Sequence, residues 1–304
     1  MSGRRIFRGI LWGLLALVLV VHVLGGWMYS DRIIDEDFTP APAAAVIPVS
    51  DEVELVEVQY ESPLGIMDAW HLPASGDTWV IHIHGLNATP VQAQPLFAAL
   101  QQAGYPQLSI TYRNDEGQPT DPSGYHRYGT AEWEDVGGAV DFALANGARE
   151  VVFAGYGTGA SHALSYVFRH NLDEIAAVIT DSAHIDVGST IDYRGTLEKL
   201  PVVGLEVPTT MAWVAKFFTS LRIDVNWKTL DYVDRAQRSL RVPLLAIHGT
   251  ADESVPIAQS IALDQAQPDL VQLEQFEGAA HVGSFNTDHD RYVSTVLAFL
   301  DDVS

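Results

Sequence analysis

The chain's 304 residues suffice for one large domain or two modest ones, and a 47% hydrophobic share supplies a sizeable core, which argues against large-scale disorder. Thirty-nine acidic residues against 17 Lys and Arg give a formal charge of -22, which repels phosphate backbones and anionic surfaces and argues against nucleic acid as a partner. Without cysteine there is no disulfide, no thiolate metal site and no cysteine nucleophile.

In chain order, residues 1–8 carry Arg4, Arg5 and Arg8. The run Gly9 to Met28, GILWGLLALVLVVHVLGGWM, has His22 as its one ionisable residue. About 20 such residues cross roughly 30 Å of hydrocarbon as a helix. Asp31, Asp35, Glu36 and Asp37 follow it, so the basic flank predicts a cytoplasmic N-terminus and an extracytoplasmic C-terminal domain. No small-x-small cleavage site closes the apolar run, and Ala43 to Ala45 come late, so a retained single-pass signal anchor is expected rather than a cleaved signal peptide. The membrane is then a partner through this helix. Residues 29–52 form a linker, with FTPAPAAAVIPVS at 38–50 as its spacer.

From residue 53 to 302, β-type and helix-type segments alternate. VELVEVQY, MDAWHL and TWVIHIHG lead to a helix over Pro90 to Ala103. QLSITY, a helix from Thr130 to Asn146, EVVFAGY, a helix from Thr158 to His170 and IAAVITDS follow. After an insertion over about 186–239 come VPLLAIHG, a helix near Ile257 to Ala266, LVQLEQFEG and a closing helix from His289 to Asp301. Continuous Val/Ile/Leu strands between helices predict a mostly parallel sheet covered on both faces, with an antiparallel opening pair. The insertion, rich in aromatics such as Trp213, Phe217, Phe218, Trp227 and Tyr232, reads as a helical lid.

In an open α/β sheet ligands sit at the carboxyl ends of the strands. Those ends read His84-Gly85-Leu86-Asn87, Gly155-Tyr156-Gly157-Thr158-Gly159, Asp181, His248-Gly249-Thr250-Ala251-Asp252 and Gly278-Ala279-Ala280-His281. Their order, closing with HGTADESVP and EGAAHVGSFN, resembles the α/β-hydrolase superfamily, specifically its esterase and lysophospholipase-like members. The resemblance implies the α/β-hydrolase fold: a mostly parallel eight-stranded sheet flanked by helices, with a helical lid and, here, an N-terminal transmembrane helix.

Carried over residue by residue, the resemblance makes Asp252 the triad acid and His281 the general base. Asp181 is the rival acid. The amides of Leu86 and Thr158 match the oxyanion hole, and Gly155 and Gly159 the outer glycines of GxSxG. Tyr112-Arg113-Asn114 matches a loop that shapes the pocket floor. The departure is Gly157, which stands at the nucleophile position where the family has serine; a glycine introduced by replacement would leave the same pattern. Glycine relieves a positive φ that costs other residues about 1–2 kcal/mol, but loss of the serine costs a serine protease about 10⁶ in turnover. Thr158, with its side chain expected to turn away from His281, and Ser161, a turn further along, are poor substitutes. His82, His84 and His248 read as core and turn residues, and no metal or other cofactor is expected. Two functions follow: ester hydrolysis of a small acyl or lipid-like substrate, slow without the serine, or a catalytically inactive descendant that binds such a ligand or a protein.

Overall fold

The computed structural model describes residues 3–35, 53–170, 173–197, 199 and 206–303. The spacer expected at 38–50 lies outside them. The elements are α1 (Gly3–Ile34), β1 (Val56–Ser62), β2 (Gly65–Leu72), β3 (Thr78–Ile83), α2 (Gln94–Gln102), β4 (Gln107–Ile110), α3 (Trp133–Ala145), β5 (Glu150–Tyr156) and α4 (Thr158–Val167). They continue with β6 (Ile175–Asp181), α5 (Val187–Leu197), α6 (Thr209–Ile223), α7 (Tyr232–Ser239), β7 (Leu244–Gly249), α8 (Ala258–Ala266), β8 (Val271–Phe276), α9 (Ser284–Thr287) and α10 (His289–Val303). The chain divides into two compact units, one of residues 1–38 with 191–225, the other of 39–190 with 226–304.

In the larger unit the eight strands lie in the order β1-β2-β4-β3-β5-β6-β7-β8. The pairs β1/β2 and β2/β4 are antiparallel and every other pair is parallel. The central strands are continuous apolar runs because helices cover both faces. Every residue of β3 is buried, as is every residue of β7. One face packs Val80, Val152, Ile179, Leu245 and Ile247 against Leu96 and Leu100 of α2 and Val296 and Leu300 of α10. The helical period explains α10: Tyr292, Val296, Phe299 and Leu300 recur at the spacing of one buried stripe.

The expected elements are present at shifted bounds. The helix expected over Pro90 to Ala103 begins as a 3-10 turn, Pro90–Ala93, before α2. That expected from Thr130 starts at Trp133. Between them, Glu132 turns its carboxylate back to accept from the amides of Arg127 and Gly129, so the approach to α3 is a turn built around a buried acid.

The smaller unit contains α1, the later part of α5 and α6. α1 runs beyond the expected Met28 to Ile34. Arg4–Ile34 is long and apolar enough to cross a membrane. α6 packs along the C-terminal part of α1, where Gly25 and Gly26 let it approach: a Cβ on Gly25 would meet Met211 Sδ at 2.5 Å. Polar groups join the pair, His22 Nε2 with Thr210 Oγ1 at 3.0 Å, Ser30 Oγ with Thr219 Oγ1 at 2.9 Å, and Arg222 Nη1 with Asp31 Oδ1 at 2.6 Å.

Candidate active site

The five strand ends singled out in the sequence lie in the larger unit, and the structure brings their functional groups together. β5 ends at Tyr156, α4 begins at Thr158, and Gly157 makes the turn alone with φ 53° and ψ -115°. Its amide donates to the Asp181 carbonyl at 2.9 Å, which ties the turn to β6. Gly155 and Gly159 do not share the positive φ; closeness requires them. A Cβ on Gly159 would lie 2.1 Å from the Ile83 carbonyl oxygen, and one on Gly155 2.4 Å from Ala160 Cα. Gly157, with no side chain of its own, thus stands at the apex of a turn whose two flanking glycines leave no room for a Cβ.

Facing it is His281, on the loop after β8. Its Nδ1 donates to Asp252 Oδ2 at 2.9 Å. That bond holds the ring in the tautomer whose Nε2 is a free base. Nε2 is aimed at Gly157, lying 3.3 Å from where a Cβ there would stand. Asp252 is fixed in turn: its Oδ1 accepts from the amides of Ser254 and Val255, each at 2.8 Å. Burial alone would raise its carboxyl, but hydrogen bonds from His248, His281 and the Val255 amide outweigh it and hold the group well below the ordinary carboxylate range. Asp252, not Asp181, therefore holds the imidazole.

Asp181 is buried beside the elbow, and desolvation pushes its carboxyl up to about 6 despite a hydrogen bond from Tyr292 and the field of His281. A carboxyl favoured in its protonated form by the fold contributes stability that is full below about pH 4 and lost as pH rises through 6. Asp181→Asn is therefore expected to leave stability near its parent value at pH 4 and to raise it by about 3 kcal/mol at pH 8. Chemical denaturation at the two pH values checks this; an equal effect at both would contradict it.

The oxyanion hole differs from the expectation. The Leu86 amide is already engaged, donating to Thr158 Oγ1 at 2.6 Å. Thr158 thus turns its hydroxyl to the Leu86 amide. The loop bearing Leu86 is secured by Gln92 Oε1, which accepts from the Gly85 amide at 2.7 Å. His84 braces it too, with Nε2 to Asp115 Oδ2 at 2.9 Å and Nδ1 to the Gly85 carbonyl at 2.9 Å. Ser161 is buried and donates to the His184 carbonyl at 3.0 Å, a packing role.

His82 is a core residue, bonded to Gln107 Oε1 at 3.0 Å, and burial lowers its pKa to about 4. His248 is more than a turn residue, because its Nε2 lies 3.3 Å from Asp252 Oδ2 and helps fix the acid. Sequence reasoning missed that role, and also Ser182, whose Oγ accepts from the Val282 amide at 2.9 Å and seats the His281 loop. The HG dipeptide at the end of β7 was the available signal for His248; a serine after a strand offers none.

The model of the prolyl oligopeptidase family matches residues 210–304, which include Asp252 and His281. An esterase of Pyrococcus furiosus superposes with a TM-score of 0.64 at 20% identity, covering 83% of this chain and 92% of the esterase. An esterase of Exiguobacterium antarcticum gives 0.57 at 16% identity, covering 81% of this chain and 100% of its own. An acylaminoacyl peptidase of Pyrococcus horikoshii gives 0.63 at 15%, covering 84% of this chain and 42% of that one. No curated protein matches significantly by sequence. Sheet order and these likenesses give the chain the α/β-hydrolase fold, which it shares with esterases and a peptidase.

Proposed function

We propose that this chain is a membrane-anchored, esterase-like α/β-hydrolase that binds small acyl or lipid-like carbonyl compounds and hydrolyses them slowly, without an acyl-enzyme. The observation that carries this reading is the imidazole of His281, held by Asp252 and aimed at a glycine. An alkoxide nucleophile is missing, but Nε2 can take a proton from a water seated where a serine hydroxyl would be. The hydroxide equivalent adds to the carbonyl carbon, and the negative charge passes to its oxygen near the Thr158 amide. Collapse of the tetrahedral species expels the alcohol, which recovers the proton from the imidazolium. Hole and binding alone leave roughly 10³–10⁴ over uncatalysed water.

Turnover of p-nitrophenyl butyrate is therefore expected slightly above background and to vanish in His281→Ala. Equal rates in the two proteins would rule out the hydrolytic reading. A fluorophosphonate probe should not label the chain.

A second reading has its own support. The Leu86 amide is satisfied by Thr158 Oγ1 at 2.6 Å, an arrangement suited to a resting site that binds rather than turns over. The chain would then be a pseudo-hydrolase holding an acyl ligand or a protein. Mass spectrometry of detergent-extracted protein would find a co-purifying lipid in that case, and an empty preparation would count against it.

Anchoring rests on α1, with the N-terminus cytoplasmic and the hydrolase domain outside. The pairs that join α1 to α6 favour retention over cleavage, because removal of a signal peptide would strip α6 of its packing partner. Arg222, for one, would lose both Asp31 and the Trp27 ring beneath its guanidinium, 4.8 Å from the centroid.

A further inference from the structure

α6 is apolar on two opposite faces. One row, Met211, Ala215, Thr219 and Ile223, is buried. The other, Trp213, Phe217 and Leu221, recurs at the same four-residue spacing and is 61%, 59% and 68% exposed. A helix apolar on two opposite faces belongs in an apolar setting on both, and for a helix at the surface of its unit the outward setting is another protein or lipid.

We propose that the Trp213–Phe217–Leu221 face seats in the bilayer, at the acyl boundary of the leaflet at the C-terminal end of α1. This rests on the anchored reading of α1. Three observations favour lipid as the occupant. First, α6 runs parallel to α1 from the level of His22, where Thr210 bonds it, to the level of Asp31, where Arg222 pairs. At about 1.5 Å per residue this is the outer end of a span beginning near Gly9. Second, the helix it packs against also has an apolar surface: Leu19, Val23, Leu24 and Met28 of α1 are exposed too. Third, the cations of α6 are engaged within the unit, Lys216 with Asp192 at 2.6 Å and Arg222 with Asp31 at 2.6 Å. The face therefore offers bulk apolar contact along the outer part of the span and does not depend on anionic headgroups.

The absence of cysteine allows a clean test with nitroxide labels on single-cysteine variants of the full chain in phosphatidylcholine proteoliposomes. Phe217→Cys reports the face, Leu15→Cys the middle of α1, and Ser294→Cys an exposed position on α10. Labels at 15 and 217 are expected to collide more with oxygen than with a water-soluble nickel complex, and the label at 294 to show the reverse. Replacing a third of the phosphatidylcholine by phosphatidylglycerol should leave the 217 ratio unchanged. A lipid-like ratio at 15 with a water-like ratio at 217 would overturn the α6 proposal while the anchor stands. Water-like ratios at both would overturn the two together. A label at 217 shielded from both reagents, with spin–spin broadening on full labelling, would make the occupant a second copy of the chain and also overturn it.

Discussion

Gly157→Ser is expected to raise p-nitrophenyl butyrate turnover by several orders of magnitude and to confer labelling by a fluorophosphonate probe. The backbone is ready for the substitution: Gly157 already has the φ of 53° at which a nucleophile elbow holds its serine. That conformation costs a residue with a Cβ about 1–2 kcal/mol, a price the surrounding β5, β6 and α4 contacts can meet. The new Cβ would lie 3.3 Å from His281 Nε2, a little tight. Relief comes from the ring, whose side chain is 25% exposed, rather than from the buried strand end. The serine oxygen then falls within hydrogen-bond reach of a base whose tautomer Asp252 sets. Because removal of the equivalent serine elsewhere costs about 10⁶, restoration has a large effect to recover. Part of it is withheld by Thr158, whose hydroxyl must leave the Leu86 amide before that donor can stabilise an oxyanion, a contribution of about 3–4 kcal/mol per donor. A rate within about tenfold of the parent and no labelling would mean that base, hole and pocket no longer converge.

What was legible in the sequence follows from how each feature is encoded. The sheet was readable because β3, β5, β6 and β7 are buried on both faces, so their apolar runs are unbroken. His281 and Asp252 were readable because topology places strand ends at one edge of the sheet, so a short loop motif locates a side chain in space. Hydrogen-bond choices between loops were not. Nothing in the string TGA says that Thr158 turns its hydroxyl to an amide 72 positions earlier, or that His248 reaches Asp252 and not solvent. The association of α1 with the insertion was equally hidden. An aromatic-rich insertion reads as a lid, and the row that faces α1, Met211, Ala215, Thr219 and Ile223, differs little in hydrophobicity from the row that does not.

Arg113→Met is expected to destabilise the larger unit by about 3–5 kcal/mol, as a fall in the urea midpoint. The sequence placed Arg113 in a loop that shapes the pocket floor; the structure makes it the hub of a buried charge network. Its Nε donates to Asp135 Oδ2 at 2.7 Å and its Nη2 to Asp135 Oδ1 at 3.0 Å, a bidentate clamp on a carboxylate with no exposed surface. Nη2 also meets Glu134 at 2.8 Å and Nη1 meets Asp121 at 3.2 Å. Burial works against the guanidinium charge, but the hydrogen bonds and field of Asp135 and Glu134 prevail and raise its pKa further. Methionine fills a similar volume, so the loss is that of the cation: Asp135 and Asp121 are left buried without their partner. Arg149→Met is the matched control, because its side chain, paired with Asp77, is 82% exposed and removal should cost no more than about 1 kcal/mol. The network also reaches the chemistry. Tyr112, next to Arg113, donates its amide to Asp115 Oδ2 at 2.8 Å, and that oxygen bonds His84 at 2.9 Å, on the loop that presents Leu86. In a Gly157→Ser background, Arg113→Met should therefore lower kcat even at temperatures where the variant stays folded, whereas Arg149→Met should not. Equal stability and equal kcat in the two variants would reduce Arg113 to a surface-like pair and remove its hold on the oxyanion loop.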